Sequence, residues 1–321
     1  MNRELVMLAH KYDGERYSVA GKYMSIKLDG ERCFWDGGIS RGKAKRSVPW
    51  ANNDKDERYR EEQISTGLWS RYGNVIHAPD WWLDALPKTF LDGELYLDRG
   101  RFEETRSIVS TIIPSNEWSK IQFRVFDAPQ RQFFQSGRIN NPQFKKMISE
   151  DECMAFIAQS CLTFGPLRTF EQTVDYLQML WLDAGVQHVW RPLEQVKLLA
   201  SEDKAIDQML TALNEEVLLG GEGLMIRSSS SIWLPVRNGH LLKVKAFDEG
   251  EGTIISWTLG EGKLSGMVGA YIIEWEGERF KLSGFTEDER TIGRFTIGDK
   301  LRFRYRGLTS GGLPREARYW R

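Results

Sequence analysis

The sequence predicts an α+β protein in two parts, a large domain with mainly antiparallel sheets flanked by helices and a smaller β-barrel after it. Two observations favour this class. Between residues 22 and 246, short apolar strands alternate irregularly with helical stretches, and few of them form the β-α-β units of a doubly wound fold. From residue 253 onward, glycine turns separate short strands. We therefore predict domains at residues 1–246 and 247–321.

Six segments of the first domain have the length and apolar content of strands, and two have helical periodicity. The strands are predicted at 23–28, 90–97, 121–126, 187–190, 223–227 and 241–245, and the helices at 169–182 and 201–218. The charged run at 52–58 is typical of a solvated loop that leads into a helix.

The second domain has a different pattern. Strands are predicted at 253–259, 269–275, 278–281 and 300–306, and glycines lie between them. A pattern of this kind, about 75 residues long, predicts a small barrel of the OB-fold type.

Composition excludes several classes of protein. No apolar run reaches membrane-spanning length, and the first residues do not resemble the start of a signal peptide. Three cysteines without C-x-x-C spacing and only four histidines argue against a disulfide scaffold or a zinc site, and favour a reducing, cytoplasmic setting. The net charge of −1 argues against a protein that coats nucleic acid, but allows an enzyme with its cations on one face.

The segment KLDGER, residues 27–32, carries the first candidate for chemistry. Lys27 is followed closely by Asp29 and Arg32. Near neutral pH only about one lysine in a thousand is deprotonated, and neighbouring cations both lower a lysine pKa and hold phosphate. Such a lysine could attack the α-phosphorus of a nucleotide and carry the nucleotidyl group. A solvated turn with alternating charges is the alternative that the motif alone leaves open.

Three downstream segments supply groups that would bind a nucleotide. Arg41, within S-R-G, places a cation at the end of a predicted strand. Glu94, within LDGEL, could grip ribose hydroxyls, and Phe126, within FRVFD, could stack on a base. Taken singly, Glu94 could instead be an ordinary acid in a turn, and Phe126 an ordinary core residue.

Two further segments supply a carboxylate and two ammonium groups. Glu222 follows two glycines and would suit a divalent metal. Lys243 and Lys245, within LLKVK, lie on one face of a predicted strand because side chains two residues apart point the same way. Two ammonium groups on one face suit a triphosphate, and a solvated strand face is the alternative.

Taken in this order, the segments resemble the motif series of the covalent nucleotidyltransferases, which include ATP-dependent DNA ligases, RNA ligases and mRNA capping enzymes. KLDGER resembles the first motif, DGEL the third, FRVFDAP its aromatic-bearing variant, EGLMIR the fourth and LLKVK the fifth. The glycine-rich tail, with segments such as 260–263 and 266–270, resembles the OB domain of minimal DNA ligases from phages and of the bacterial type called ligase E.

The resemblance implies a nucleotidyltransferase (adenylation) domain followed by an OB-fold. It also implies an enzyme that uses ATP with Mg²⁺, or Mn²⁺ in its place, to seal 5′-phosphate/3′-hydroxyl nicks in duplex DNA through a lysyl-AMP intermediate and an AMP-activated 5′ end. Lys27 would carry AMP. The catalytic residues would be Lys27, Asp29, Arg32, Lys243 and Lys245, the nucleotide would be held by Arg41, Glu94, Phe126, Glu222, Lys243 and Lys245, and the metal by Glu222, Asp29 and Glu94.

We further expect a monomer without membrane contact, in the cytoplasm of a bacterium or a phage-infected cell. Arg302, Arg304 and Arg306 alternate on the last long strand and are candidates for contacts with DNA phosphates, or form a polar barrel face.

The sequence departs from the family pattern in two places. Ser25 stands two residues before Lys27, where many relatives have a glutamate that reads the adenine amino group, and the sixth motif is only loosely matched at 315–318. Two alternatives therefore stay open, an RNA ligase or GTP-using capping-type enzyme, and a non-catalytic DNA-binding protein that uses its OB-fold as a stacking platform.

Overall fold

The computed structural model describes residues 5–14, 16–52, 61–130, 167–184, 189–246, 248–305, 308–309, 312–314 and 317–320. The chain divides into two compact units, Met1–Val244 and Lys245–Arg321, and this boundary lies two residues before the predicted one. The α+β class is confirmed, because the described part of the first unit combines helices with two largely antiparallel sheets. Most of the charged run at 52–58 lies outside the described residues.

The first unit contains ten strands and four helices within the described residues. The strands are β1 Leu8–Lys11, β2 Tyr23–Ile26, β3 Glu31–Asp36, β4 Leu68–Ser70, β5 Phe90–Tyr96, β6 Gln122–Asp127, β7 Trp190–Pro192, β8 Val196–Lys197, β9 Leu224–Arg227 and β10 Arg237–Val244. The helices are α1 Asp80–Leu83, α2 Phe102–Val109, α3 Phe170–Asp183 and α4 Glu202–Leu218, with short 3₁₀ turns at Lys45–Ser47 and Asn116–Lys120.

These strands form two five-stranded sheets. The first has the order β1-β10-β9-β2-β8 and the second the order β4-β3-β5-β6-β7. Only β1 with β10 and β6 with β7 pair in parallel, and every other described pair is antiparallel. Although β2 and β3 are consecutive, they belong to different sheets, so the four residues 27–30 cross from one sheet to the other.

Both predicted helices are confirmed, and each begins one residue after the predicted start. The first turn of α3 is fixed by a capping box, in which the side chains of Thr169 and Gln172 each accept a hydrogen bond from the other residue's backbone N–H. Its buried Leu177 packs in a core with Trp82, Trp118 and Trp190, which are all 0% exposed. Several of the twelve tryptophans are therefore core residues.

The sequence did not predict β1, β3, β4, β8, α1 or α2. Four of these elements have only two to four residues, which is too short for periodicity to be recognised. The other two, β3 and α2, contain three charged residues each, and their burial comes from packing against β5.

The second unit has five strands in one antiparallel sheet, as predicted for its long strands. They are β11 Asp248–Leu259, β12 Val268–Trp275, β13 Glu278–Leu282, β14 Lys300–Tyr305 and β15 Arg318–Tyr319, in the order β13-β12-β11-β14-β15, with 3₁₀ turns at Gly262–Leu264 and Asp288–Arg290. A bridge between Ser283 and Arg318 joins the two edges of the sheet, as a barrel requires.

A two-residue turn joins β12 to β13. Glu276 and Gly277 both have positive φ, 51° and 83°, as the tight hairpin turns that match strand twist demand. The interior of the unit is aromatic, with Tyr271 and Phe303 each 0% exposed. No helix among the described residues has the length and apolar character needed to cross a membrane.

Candidate functional site

A pocket of about 210 Å³ in the first unit contains the predicted chemistry. Strands of both sheets contribute to its walls. Five of the predicted site residues line it, namely Lys27, Arg32, Glu94, Phe126 and Lys243. Segments distant in sequence therefore converge, which favours the nucleotide-binding interpretation over five unrelated surface features.

Lys27 lies where the chain leaves the first sheet. Its backbone N–H donates to the carbonyl of Gly223 at 2.7 Å, and this bond holds the turn after β2 against the loop before β9. The same loop brings the Glu222 carboxylate into contact with Lys27 Nζ. Both side chains keep about a quarter of their surface exposed, at 24% and 22%. The lysine is therefore paired but reachable by a ligand.

The glycine of KLDGER is required by a close approach. A Cβ atom on Gly30 would lie 2.3 Å from the carbonyl oxygen of Leu95 and 2.9 Å from Cγ of Glu94. A side chain here would push the turn away from β5, so the glycine keeps Lys27 close to the second sheet.

Arg32 is held rigidly by an aspartate that the sequence prediction missed. Its Nε and Nη2 donate to the two carboxylate oxygens of Asp92 at 2.7 and 2.8 Å, and its guanidinium lies 4.3 Å from the ring centroid of Phe126. Trp233 Nε1 donates to the same carboxylate at 2.8 Å. Burial alone would lower the pKa of Arg32, but the adjacent carboxylates, Asp92 first, outweigh it and raise that pKa.

A second buried ion pair, between Arg227 and Asp127, supports the pocket wall. Arg227 Nη1 lies 3.1 Å from an Asp127 carboxylate oxygen, and the two side chains are 6% and 3% exposed. Ser231 Oγ accepts from Arg227 Nε at 2.8 Å. Burial raises the pKa of Asp127 and lowers that of Arg227, although each charge partly offsets the effect on its partner.

A local irregularity in β6 affects Phe126. Asp92 is paired with Asp127 but Gly93 with Val125, so Phe126 is the extra residue of a β-bulge. Bulges change the direction of side chains, and Phe126 lines the pocket beside Arg32.

The sequence analysis missed the two aspartates of these ion pairs, Asp92 and Asp127. The signal that could have found them is their position inside the DGEL and FRVFD motifs.

Glu94 is a half-buried carboxylate in the pocket wall. Burial raises its pKa to about 7, although the charges of Arg32 and Lys27 oppose the shift. The group therefore changes protonation within the physiological range.

Four predicted residues are not among those that line this pocket, and one of them, Glu222, contacts Lys27. Asp29 is exposed in the turn after β2, and Lys245 follows β10 as the first residue of the second unit. Arg41 lies elsewhere, because its guanidinium pairs with Asp80 at 2.6 Å and Asp84 at 2.8 Å, beside α1. The structure therefore places Arg41 outside this pocket, and its expected role in nucleotide binding stays a prediction. The turn before it is anchored by hydrogen bonds from Ser40 and Trp69 to the buried Asp36, a pairing that sequence spacing does not show.

The predicted three-carboxylate metal set is not assembled. Among the described residues, no group of three or more histidine, cysteine, aspartate or glutamate side chains could hold a metal ion. Glu94 instead lies near Arg32 and Lys27, and Glu222 contacts Lys27. A metal here would need oxygen ligands from a bound nucleotide, a mode that Mg²⁺ commonly adopts with phosphates.

The pocket is also lined by residues that were not predicted to belong to the site. Arg71 and Arg237 line it, and Ser25, 8% exposed on β2, lies in the wall that leads to Lys27. The predicted family would often have a glutamate at Ser25, so the wall here presents a hydroxyl instead of a carboxylate.

This chain is similar to known DNA ligases in sequence and in structure. The family model described as DNA ligase OB-like domain matches residues 259–321. A DNA ligase of Haemophilus influenzae is 26% identical over 317 residues, covering 98% of this chain and 91% of the relative. A solved structure from a structure–function study of Lig E DNA ligases, described as DNA binding with a minimal scaffold, is 27% identical, covers 98% of both chains and has a TM-score of 0.63.

The predicted resemblance to minimal DNA ligases is confirmed. The similarity to minimal DNA ligases extends along nearly the whole chain, so it includes both units. The ATP-dependent DNA ligase of bacteriophage T7, solved in complex with ATP, shares the fold at a TM-score of 0.50, with 13% identity over 100% of this chain and 99% of that one.

Proposed function

We propose that this protein is an ATP-dependent DNA ligase that seals nicks between a 5′-phosphate and a 3′-hydroxyl in duplex DNA. The observation that carries the proposal is the position of Lys27, exposed in a pocket beside Glu222 and together with Arg32, Glu94, Phe126 and Lys243. An amine that a ligand can reach, among cations and beside an aromatic ring, suits covalent capture of a nucleotide. The similarity to minimal DNA ligases supports DNA as the substrate.

The reaction would proceed in three displacements. Deprotonated Lys27 Nζ attacks the α-phosphorus of ATP, a nitrogen–phosphorus bond forms, and pyrophosphate leaves. The 5′-phosphate of the nick then attacks the lysyl-AMP, and AMP passes to the 5′ end. Finally the 3′-hydroxyl attacks that activated phosphate, loses its proton and releases AMP.

The residues of the pocket would divide the work. Lys243 would neutralise charge on the phosphates, and Phe126 would stack on the base. Arg32, with its guanidinium plane fixed by Asp92, would hold a phosphate or ribose oxygen in one orientation. Glu94 would accept a hydrogen bond from a ribose hydroxyl, and its ionised form would be the stronger acceptor.

Glu222 would have two successive partners. In the nucleotide-free protein it contacts Lys27 Nζ. Glu222 would hold Mg²⁺, or Mn²⁺ in its place, which would supply Lewis-acid neutralisation of phosphate charge. On motif resemblance alone, we also propose that Lys245 neutralises phosphate charge together with Lys243, and that Asp29 holds the metal or orients the hydroxyl in the last step. We further propose that the enzyme works as a monomer on nicked DNA in the cytoplasm of a bacterial or phage-infected cell, consistent with its bacterial relative.

The test is intact mass spectrometry after incubation with ATP and Mg²⁺. We expect an AMP adduct on the wild-type protein, its complete absence in Lys27→Ala, and sealing of a fluorescent nicked duplex by the wild type only. An adduct from GTP but not from ATP would contradict the proposal in favour of a capping-type enzyme. Sealing that survives Lys27→Ala would also contradict it.

A further inference from the structure

A second cavity of the first unit lies beside β6 and β7. It has a volume of about 440 Å³ and is lined by side chains of both strands, of α3 and of the segment after β7. It shares Phe126, Leu193 and Gln195 with the nucleotide pocket, so the two cavities are neighbours. None of the ligation steps proposed above uses the arginines found here.

Two arginines, Arg124 and Arg191, line this cavity side by side. They are register partners on the parallel strands β6 and β7, so their side chains leave the sheet close together. Burial, together with the like charge of Arg191, lowers the pKa of Arg124 to about 10. Positive charge is therefore concentrated where the half-buried Arg124 lies beside the exposed Arg191.

Within the described residues, no carboxylate forms an ion pair with either arginine, although the charge of Glu194 partly offsets the lowering of the Arg124 pKa. Neither arginine has an ion-pair partner there, and Arg124 Nε is buried without a hydrogen-bond partner. The nearest hydrogen bond of Arg124 is a long one, from Nη1 to Gln122 Oε1 at 3.5 Å. Asp175 and Glu194 also line the cavity, without pairing with either arginine. Burying an unpaired charge is costly, so this arrangement favours an anionic ligand.

The neighbouring Arg99 provides a contrast. It donates to both carboxylate oxygens of the buried Glu216, at 3.0 and 2.7 Å. The same region of the protein therefore contains an arginine neutralised by the protein itself and two that are not.

We propose that Arg124 and Arg191 form a phosphoryl-binding site, separate from the nucleotide pocket. Guanidinium forks match the oxygens of a phosphoryl group, and two of them can grip it from two sides. Trp181 Nε1, which lines the same cavity and is buried without a partner in the described residues, supplies a third donor. The ring of Phe126 and the apolar Leu177 offer a wall for whatever the phosphoryl group is attached to.

The phosphoryl group could come from the DNA backbone or from a free nucleotide or pyrophosphate. The site itself is tested with inorganic phosphate, by thermal melting of the full chain in low-salt buffer. We expect phosphate to raise the wild-type melting temperature, and at least threefold weaker phosphate binding in Arg124→Gln and in Arg191→Gln. Without phosphate, Arg124→Gln should melt at or above the wild-type temperature, because it removes an unpaired buried charge. Arg106→Gln, an exposed arginine on α2, is the matched control.

Two further measurements distinguish the sources. If DNA supplies the phosphate, the slope of log Kd for a nicked duplex against log salt falls by about 1 in the variants, while the KM for ATP in adenylylation stays the same. If a nucleotide supplies it, the KM for ATP or inhibition by pyrophosphate changes several-fold and the slope does not. Either result supports the site.

The proposal is overturned if phosphate binding, the DNA salt slope and the KM for ATP of Arg191→Gln all match those of Arg106→Gln. Arg191 is exposed, so this variant provides the test even if Arg124→Gln fails to fold. Because phosphate binding needs no ligation, a failure of the proposed ligase activity would leave this result interpretable.

Discussion

The ion pairs of the nucleotide pocket and those of the carboxy-terminal barrel differ in burial. In the pocket, Arg32 pairs with Asp92, which is 0% exposed, and Trp233 donates to the same carboxylate. In the barrel, Arg304 pairs with Glu249 at 2.7 Å, but the two side chains are 33% and 55% exposed. A buried pair fixes orientation and is costly to break, whereas an exposed pair is screened by water and salt. In the pocket, the buried ion pair therefore fixes the orientation of a side chain. In the barrel, the exposed ion pair belongs to a solvated surface and fixes little.

The barrel arginines illustrate this second use. Arg302 is exposed on β14, while Arg304 lies over the Trp320 ring at 3.2 Å from its centroid. Arg306 lies outside the described residues. Contact of these residues with DNA phosphates remains a prediction.

The largest effect is expected from Asp92→Ala. This change leaves the Arg32 guanidinium buried without its carboxylate, so we expect a loss of about 3–5 kcal/mol of unfolding free energy. Adenylylation should fall at least a hundredfold, because Arg32 loses its fixed orientation. Urea unfolding and AMP-adduct formation measure the two effects. Asp98→Ala, outside the network, is the control, and equal stability of the two variants would contradict the comparison.

Glu94 should give the protein a pH-dependent stability. Its pKa in the folded protein, about 7, lies above the ordinary value of 4.5, so the folded state binds more protons between those values. Unfolding free energy should therefore fall as pH rises from 4.5 to 7, by on the order of 1–2 kcal/mol after allowance for solvent screening.

In Glu94→Gln, the contribution of this carboxylate to the slope of unfolding free energy against pH should vanish. Glu103→Gln, which changes an exposed residue on α2, should retain it. Denaturant titrations of the nucleotide-free proteins at several pH values measure the slope. An unchanged slope in Glu94→Gln would show that the carboxylate ionises normally.

Trp233→Phe should have a smaller effect. The substitution keeps an aromatic ring in the core but removes the N–H that donates to Asp92. Loss of one buried hydrogen bond to a charged group costs about 1.5–3 kcal/mol, and part of this loss is recovered when water or Arg32 satisfies the oxygen. We expect about 1 kcal/mol in urea unfolding and a several-fold drop in adenylylation rate. A rate identical to the wild type would separate this tryptophan from the positioning of Arg32.

The smallest effect is expected in the barrel. Glu249→Gln should change unfolding free energy by less than about 1 kcal/mol, because an exposed ion pair contributes little. High salt should remove even that difference. A loss as large as that of Asp92→Ala would mean that exposure does not distinguish the two regions.

The sequence predicted the parts of the site that depend on local motifs. Lys27, Glu94 and Lys243 were found because a short segment fixes their residue types and strand positions, and these positions converge in the structure. The partner of Arg32 was missed because Asp92 lies sixty residues away, and no spacing rule links the two. The ion pairs of Arg41 were missed for the same reason, since its partners lie beside α1.

The fold class was predicted because strand and helix periods differ clearly in the long elements, such as α4 and β12. The assignment of β2 and β3 to different sheets could not be predicted. A short turn between two apolar segments is normally a hairpin, and only the long-range pairing of each strand shows otherwise.

The turn at residues 27–30 joins two sheets, and a nucleotide bound there would touch both of them. Reversibly bound ATP would stabilise the unit by an amount that rises with the logarithm of the ATP concentration, about 2.7 kcal/mol at a hundred times Kd. Once AMP is covalently attached to Lys27, dilution no longer removes it. The adenylylated enzyme would keep its contacts between AMP and both sheets while it searches for a nick. It would lose this stabilisation only when AMP is transferred to DNA.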